Sequence, residues 1–190
     1  MRVIAGVARG RLLVAPRGAA TRPITDRVKE TLFAILGDRT PDANVLDLYA
    51  GSGAIGIEAL SRGAAHCDFV DLARPAVAAI RENLQRTGFE DAGSVHQADV
   101  MRHLAHPSAN AYDLVFLDPP YEERAILPPL ERLAGHLAPE AMVVLKHHWR
   151  TPVPASPGLT EWRQRRFGET MLTFLVANDE GNGADGVEES

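Results

Sequence analysis

Two hydrophobic periods alternate along this chain. Val45 to Tyr49 is a short apolar run broken only by Asp47, the pattern of a buried strand. It turns through Gly51, Ser52 and Gly53 into a segment where Ile55, Ala59 and Leu60 recur at helical spacing. The alternation then repeats. A strand over His66–Leu72 precedes a helix over Pro75–Thr87, whose Ala76, Ile80 and Leu84 share one side and which Gly88 stops. A strand over Ser94–Ala98 leads to a helix starting near Val100. A strand over Tyr112–Leu117 is followed by a helix through Glu131 and Leu137 to about Pro139, then a strand over Ala141–Lys146. Glu161–Phe167 and Glu169–Ala177, around Gly168, read as a closing antiparallel hairpin. Strands alternating with helices predict an α/β domain with a mostly parallel sheet and an antiparallel last strand.

The first residues break this rhythm. Arg2–Ala5 and Gly10–Ala15 are strand-like, with Gly6 and Gly10 as bend points, so residues 1–17 predict a β-hairpin. Such a hairpin is marginal alone and must rest on something. Pro16–Pro23 is a loop. Thr25 or Asp26 then caps a helix to about Leu36, with Val28, Leu32, Phe33, Ile35 and Leu36 apolar and Gly37 at its end. The expected organisation is a basic hairpin and loop over 1–23, a sheet domain with its leading helix over 24–177, and an acidic, glycine-rich tail over 178–190 that predicts disorder.

Composition narrows the class. The 190 residues suit one domain with a small appendage. No apolar run reaches the roughly 20 residues of a membrane span, and the first residues lack the apolar core of a signal peptide. The single cysteine, Cys67, lies in an expected strand and reads as a buried thiol. A cytoplasmic protein is expected. The net charge of −5 comes from the tail, whose five acids have no basic partner; the rest carries 20 acids and 20 bases. The first 30 residues hold seven bases against two acids, which suits a polyanion, although a solvated basic surface has the same composition.

The glycine turn reads D-L-Y-A-G-S-G and is no G-x-G-x-x-G. Its glycines let a ligand lie against the backbone. Asp47 beside it repels a pyrophosphate and attracts a cation, so S-adenosylmethionine, with its sulfonium and amino group, fits better than a dinucleotide. Asp71 ends the second strand about 20 residues past the turn, where an acid binds ribose hydroxyls; a surface acid near a helix start is the alternative. Asp99 can accept from an adenine amino group or cap the next helix. Asp47, Asp71, Asp99 and Asp118 all fall at expected strand ends, the ligand edge of an open parallel sheet. In Asp118-Pro119-Pro120-Tyr121, two prolines remove N–H donors and leave a carboxylate, carbonyls and an aromatic face. Asp118 and the Pro119 carbonyl can each accept one N–H of an exocyclic amine, and Tyr121 can stack on the base. The plainer reading is a rigid proline turn. Lys146-His-His-Trp149 lacks the acid or cysteine a metal site wants. Arg163, Arg165 and Arg166 either extend the basic surface or solvate an edge strand.

Together D-L-Y-A-G-S-G and D-P-P-Y resemble S-adenosylmethionine-dependent amino-methyltransferases. R-V-I-A-G-x-x-R-G-R-x-L, R-P-I-T-D-R-V-K-E-T-L-F and L-D-L-Y-A-G-S-G-A-I-G-I-E-A-L-S-R-G-A are closer still to the RsmD family, across roughly residues 1–177. That resemblance implies a Rossmann-like methyltransferase fold and methylation of a guanine N2 amine in small-subunit ribosomal RNA, free or in an assembling 30S particle. It implies S-adenosylmethionine as cofactor, S-adenosylhomocysteine as product and no metal; with no surplus apolar helix face and no spanning apolar run, a monomer away from the membrane is expected. Asp47, Tyr49, Gly51, Ser52 and Gly53 would line the methionine part, Asp71 the ribose and Asp99 the adenine. Thr25 and Arg22 would border the cleft, Asp118 to Tyr121 would hold the guanine, and Arg9, Arg11 and Arg22 would touch RNA. The acidic tail and Lys146-His-His-Trp149 depart from the family pattern. The rival readings are an adenine-N6 methyltransferase on RNA or DNA and a non-catalytic RNA-binding assembly factor.

Overall fold

A computed structural model describes residues 1–17, 24–106, 111–119 and 126–178. Seven strands form one sheet: β1 (Asn44–Leu48), β2 (His66–Asp71), β3 (Gly93–Gln97), β4 (Tyr112–Leu117), β5 (Leu137–His148), β6 (Leu159–Phe167) and β7 (Thr170–Ala177). Their spatial order is β3-β2-β1-β4-β5-β7-β6. All neighbouring pairs from β3 to β5 are parallel, while β7 runs antiparallel to both β5 and β6. The order reverses between β1 and β4, the switch point where open α/β sheets bind ligands.

Helices α1 (Asp26–Leu36), α2 (Ala54–Ser61) and α3 (Arg74–Thr87) pack on one face of the sheet around Phe69, Phe116 and Phe174. The rings of Phe33 on α1 and Phe116 on β4 lie 6.0 Å apart. The short α4 (Val100–His103) and α5 (Leu127–Leu133) cover the other face, over Leu46, Leu48, Val115 and Val143. β1 and β4 are buried on both faces, which is why they read as nearly continuous apolar runs. Gly56 permits α2 to approach the sheet: a Cβ there would stand 2.4 Å from the Phe69 ring and 2.6 Å from the Cys67 sulfur.

Two expectations change. The helix expected to reach Pro139 ends at Leu133, a 3-10 turn covers Ala134–His136, and β5 begins at Leu137. The residue before a proline avoids the helical region, and a register shift between Tyr112 and Leu114 lets Pro139 and left-handed Glu140 sit inside β5.

The N-terminal hairpin forms with one isolated bridge, Arg2 with Leu12, in place of two strands. The reason lies in where its backbone groups go. Ile4 and Ala5 donate their N–H groups to the Glu58 carboxylate at 2.8 and 3.0 Å. Ala8 donates to the Ser61 hydroxyl at 3.0 Å, and that hydroxyl donates to the Ala5 carbonyl at 2.6 Å. Val14 donates to Asn83 on α3 at 2.8 Å. Side chains of α2 and α3 thus satisfy groups a partner strand would have paired, and Val3, Ala8 and Leu13 enter the same core as α1.

Candidate active site

The four strand-end acids lie on neighbouring strands at one edge of the sheet. β1 ends at Leu48 and the chain turns at once. Tyr49, Gly51 and Gly53 all take positive φ, of 58°, 57° and 72°. Left-handed backbone is routine for glycine and uncommon for tyrosine. Gly53 donates to the Ala50 carbonyl at 2.7 Å and forms the N-terminal boundary of α2.

Asp71 braces this turn. One carboxylate oxygen accepts the Gly51 N–H at 2.8 Å, and the other accepts the Ala73 N–H at 2.8 Å. A carboxylate offers about four lone-pair sites, so acceptor capacity remains for hydroxyl groups of a ligand. Asp47 lies behind the turn, only 2 % exposed, and accepts the Gly56 N–H at 3.0 Å. Burial pushes its carboxyl well above the usual range, the Gly56 bond opposes this, and the charges of Asp118 and Asp71 push it further up. Burial likewise raises the Tyr49 phenol, and the Asp99 charge adds to the rise. Asp47 therefore lies close enough to Asp71 and Asp118 for their charges to repel it. A cation at this edge relieves that repulsion and a phosphate worsens it. The donor set thus fits a sulfonium cofactor with hydroxyl groups.

Asp99 is exposed and caps α4, accepting the Arg102 N–H at 3.0 Å. Thr25 caps α1, its hydroxyl accepting from Val28 at 3.4 Å. Ser52 contacts the N-terminus: its hydroxyl lies 3.5 Å from the Met1 sulfur, and its carbonyl accepts from the Asn83 amide at 2.9 Å. Arg9 and Arg11 are exposed in the N-terminal turn. Arg22, Pro120, Tyr121 and residues 179–190 of the acidic tail lie outside the described residues.

Asp118 follows β4 directly, and Pro119 is buried beside it. The Asp118 carboxylate accepts from the Lys146 ammonium at 2.6 Å, with 31 % of the Asp118 side chain exposed against 11 % for Lys146. Burial raises the Asp118 pKa, and the Lys146 charge and hydrogen bond pull it back. Lys146 was legible only as a basic residue ending an apolar run.

Three further residues hold buried polar contacts, and Lys29, one of the seven bases counted toward a polyanion contact, is buried and so unavailable for it. Lys29 and Glu58 are fully buried and lie 3.2 Å apart, and the Lys29 ammonium also donates to the Arg2 carbonyl. Glu58 accepts from Arg62 as well, at 2.9 Å. Asn83 joins Val14, through both its N–H and its carbonyl, to Ser52 of the glycine turn. Each sits within an apolar helical stripe, where a polar side chain demands a partner.

A cavity of about 370 Å³ lies away from this edge, on the α4 face, lined by Asp68, His96, Arg102, His103, His106 and His136 among others. Asp68 is its hub, accepting from Tyr112 at 2.9 Å and His96 at 2.8 Å. We place the chemistry at the acid edge, because the glycine turn and Asp118 meet there.

A sheet reversing between β1 and β4, a left-handed glycine turn and acids at the strand ends define an S-adenosylmethionine-dependent methyltransferase. The family model described as Conserved hypothetical protein 95 matches residues 1–176. Ribosomal RNA small subunit methyltransferase D of Escherichia coli is 36 % identical over 159 residues, 83 % of this chain and 79 % of that protein. YlbH of Bacillus subtilis, described as a candidate rRNA methyltransferase, is 37 % identical over 92 % of this chain and 97 % of its own length. The solved structure of the Escherichia coli methyltransferase candidate yhhF superposes with a TM-score of 0.84 at 32 % identity, covering 93 % of this chain and 97 % of that one. The chain belongs to the RsmD family.

Proposed function

We propose that this protein transfers a methyl group from S-adenosylmethionine to the exocyclic N2 amine of a guanine in small-subunit ribosomal RNA. The carrying observation is Asp118, held by Lys146 at the switch-point edge next to the glycine turn. The names of the relatives support ribosomal RNA as the substrate class. The same reading makes the protein a cytoplasmic monomer acting on free RNA or an assembling 30S particle.

When bound, S-adenosylmethionine supplies an electrophilic methyl group and leaves as S-adenosylhomocysteine. Gly51 and Gly53 would let it approach the backbone, Asp71 would accept from its ribose hydroxyls, and Asp99, beyond its cap bond, would accept from its adenine amine. Asp118 accepts an N–H of the guanine amine and aims the nitrogen lone pair, assisted by the Pro119 carbonyl and by Pro120 and Tyr121 as the sequence implies. As the amine becomes an ammonium, the Asp118 carboxylate stabilises the developing charge and either takes the proton or passes it to water. Lys146 keeps that carboxylate ionised and oriented. Catalysis is mainly positioning, and the guanine must leave its stack to reach the edge.

The test uses labelled S-adenosylmethionine and small-subunit particles from cells lacking the endogenous activity, with the RNA digested to nucleosides. Label in N2-methylguanosine is expected. Label in N6-methyladenosine moves the substrate to adenine, and no label with intact cofactor binding means a different substrate or a non-catalytic assembly factor, which Asp118→Ala retaining full cellular function would identify.

A further inference from the structure

The far edge of the sheet carries a feature the methyl-transfer reading leaves unused. β6 is the outer strand, and Thr160 through Arg166 are all exposed. Arg163, Arg165 and Arg166 lie on it, and Arg150 follows the end of β5. Among the described residues none of these four arginines pairs with a carboxylate. Glu161 is the one acid on β6, and it accepts from Gln164 at 2.9 Å. Charges that merely blunt an edge strand would be equally served by mixed or paired residues. Unpaired like charges repel one another until an anion arrives.

Both tryptophans of the chain stand among these arginines. The Arg166 guanidinium lies 3.8 Å from the Trp149 ring centroid and that of Arg150 lies 4.8 Å from it. Arg166 is fixed further by donating Nε–H to the Gly168 carbonyl at 2.8 Å. Trp162 is 53 % exposed, meets Phe174 edge-on at 6.3 Å and has Arg163 5.6 Å from its centroid. Stacked arginines are pre-organised forks for phosphate, and an exposed indole is a platform for an unpaired base.

The register places this patch beside the acid edge. Leu117 of β4 pairs with Leu145 of β5, His148 of β5 with Thr170 of β7, and Thr170 with Phe167 of β6. Arg165 and Arg166 therefore lie near the end of β6, on its two faces, level with Lys146 and the edge that holds Asp118. Three strand spacings separate β4 from β6, about 14 Å at about 4.8 Å each. Nucleotides flanking a flipped base span that distance.

We propose that this sheet edge, with Trp162, Arg163 and Arg165 on one face of β6 and Trp149, Arg150 and Arg166 on the other, is a docking surface for single-stranded RNA flanking the target base as it passes over the edge strand. This rests on the RNA reading above and adds where the flanking strand lies. The probe is a labelled small-subunit RNA fragment with a loop, titrated with full-length protein at several salt concentrations. Replacing Arg163, Arg165 and Arg166 by Gln should lower the slope of log affinity against log salt by about 2, since each single-strand phosphate contact contributes about 0.7. Trp162→Ala should weaken binding about tenfold, while Trp162→Tyr keeps an aromatic face and most of the affinity. In transfer assays KM for RNA should rise about tenfold, with kcat and cofactor affinity within about twofold of wild type.

Variants that bind the fragment with wild-type affinity and salt slope overturn the proposal and leave the methyl-transfer reading intact. Variants normal on the fragment but weakened only on assembled particles also overturn it, and assign the surface to a ribosomal protein. Weakened RNA binding in the variants with no methylguanosine from wild type sustains the surface and removes the guanine reading.

Discussion

The Lys29 ammonium and the Glu58 carboxylate lie 3.2 Å apart, with neither side chain exposed to solvent. Around them the Glu58 oxygens also take the N–H groups of Ile4 and Ala5. The pair thus fastens α1, α2 and the N-terminal turn at one point. Removing Lys29 leaves the buried Glu58 carboxylate with Arg62 as its remaining ion-pair partner, so about 3–5 kcal/mol, the cost of a buried charge left without a partner, is an upper bound. Lys29→Met should lower stability by about 1–3 kcal/mol in chemical denaturation, since Arg62 and two backbone N–H groups still hold Glu58. It should also expose residues 1–17 to proteases under native conditions. A loss under about 1 kcal/mol would mean that Arg62 alone suffices to compensate Glu58.

Asn83 carries the N-terminal turn to the cofactor edge. Its side chain satisfies both polar groups of Val14 and the carbonyl of Ser52. Asn83→Leu strands those three groups, at about 1–3 kcal/mol for each one left buried and unpaired. Isothermal titration with S-adenosylmethionine should show affinity weakened several-fold, because the glycine turn loses its support. Unchanged affinity would show that the turn is held by Asp71 alone.

Gly6 is the tightest point of the N-terminal turn. Its φ is +80°, and a Cβ there would stand 1.7 Å from the Ser61 carbonyl oxygen. Gly6→Ala cannot be accommodated without moving the turn off α2. It should lower the melting temperature and reduce RNA binding through displacement of Arg9 and Arg11. Gly10→Ala, with nothing within 4 Å of its Cβ but φ at +85°, should cost only the backbone strain of about 1–2 kcal/mol.

Away from the active edge, hydrogen bonding to Asp68 raises the His96 pKa, burial opposes this, and the Asp68 charge adds to the rise. Burial raises the Asp68 pKa, but bonds from His96 and Tyr112 and the charges of His96 and His66 bring the net shift down. The His96 contribution is whole below its unfolded pKa of about 6.5 and is lost as pH rises through the higher folded value. The Asp68 contribution is present above the ordinary carboxylate range and is lost as pH falls through its lowered value. His96→Gln should therefore destabilise the protein at pH 6 and matter progressively less toward pH 9. A pH-independent difference between the two proteins would exclude this linkage.

What could be read from sequence and what could not divides along a physical line. β1 and β4 are buried on both faces, so their apolar runs identify them in isolation. The acids at four strand ends follow from strand boundaries alone, and so does their convergence once the strands are parallel. Lys29, Glu58 and Asn83 are different. Each is a polar residue in an apolar helical stripe, which signals a partner without saying which, because the partner lies 29 to 69 residues away in sequence. The hairpin over residues 1–17 keeps backbone bonds such as Val3 to Arg11 and Leu13 to Met1, but is reduced to a single bridge for the same reason: the N–H groups of Ile4, Ala5, Ala8 and Val14 go to side chains whose positions only the packed helices determine. The sequence predicts a β5 that starts late, because Pro139 resembles a helix end and only the shifted pairing with β4 accommodates it inside the strand.

Lys146 offers the sharpest test of the chemistry. Its ammonium sits 2.6 Å from the Asp118 carboxylate in surroundings whose burial otherwise pushes that acid upward. Methyl transfer as proposed needs Asp118 ionised, so activity falls as pH drops through its pKa. Lys146→Met removes the charge that holds the pKa down, so the acid limb of kcat/KM should move to higher pH. Lys146→Arg should restore most of the wild-type profile, since it returns the charge. Asp118→Ala should lose transfer by at least about 100-fold while cofactor binding survives. If Lys146→Met instead lowers kcat equally at every pH, the ammonium orients Asp118 or the RNA without setting its charge. The rescue by arginine then separates these cases, because orientation at 2.6 Å tolerates a larger planar cation poorly whereas a field effect does not require the fit.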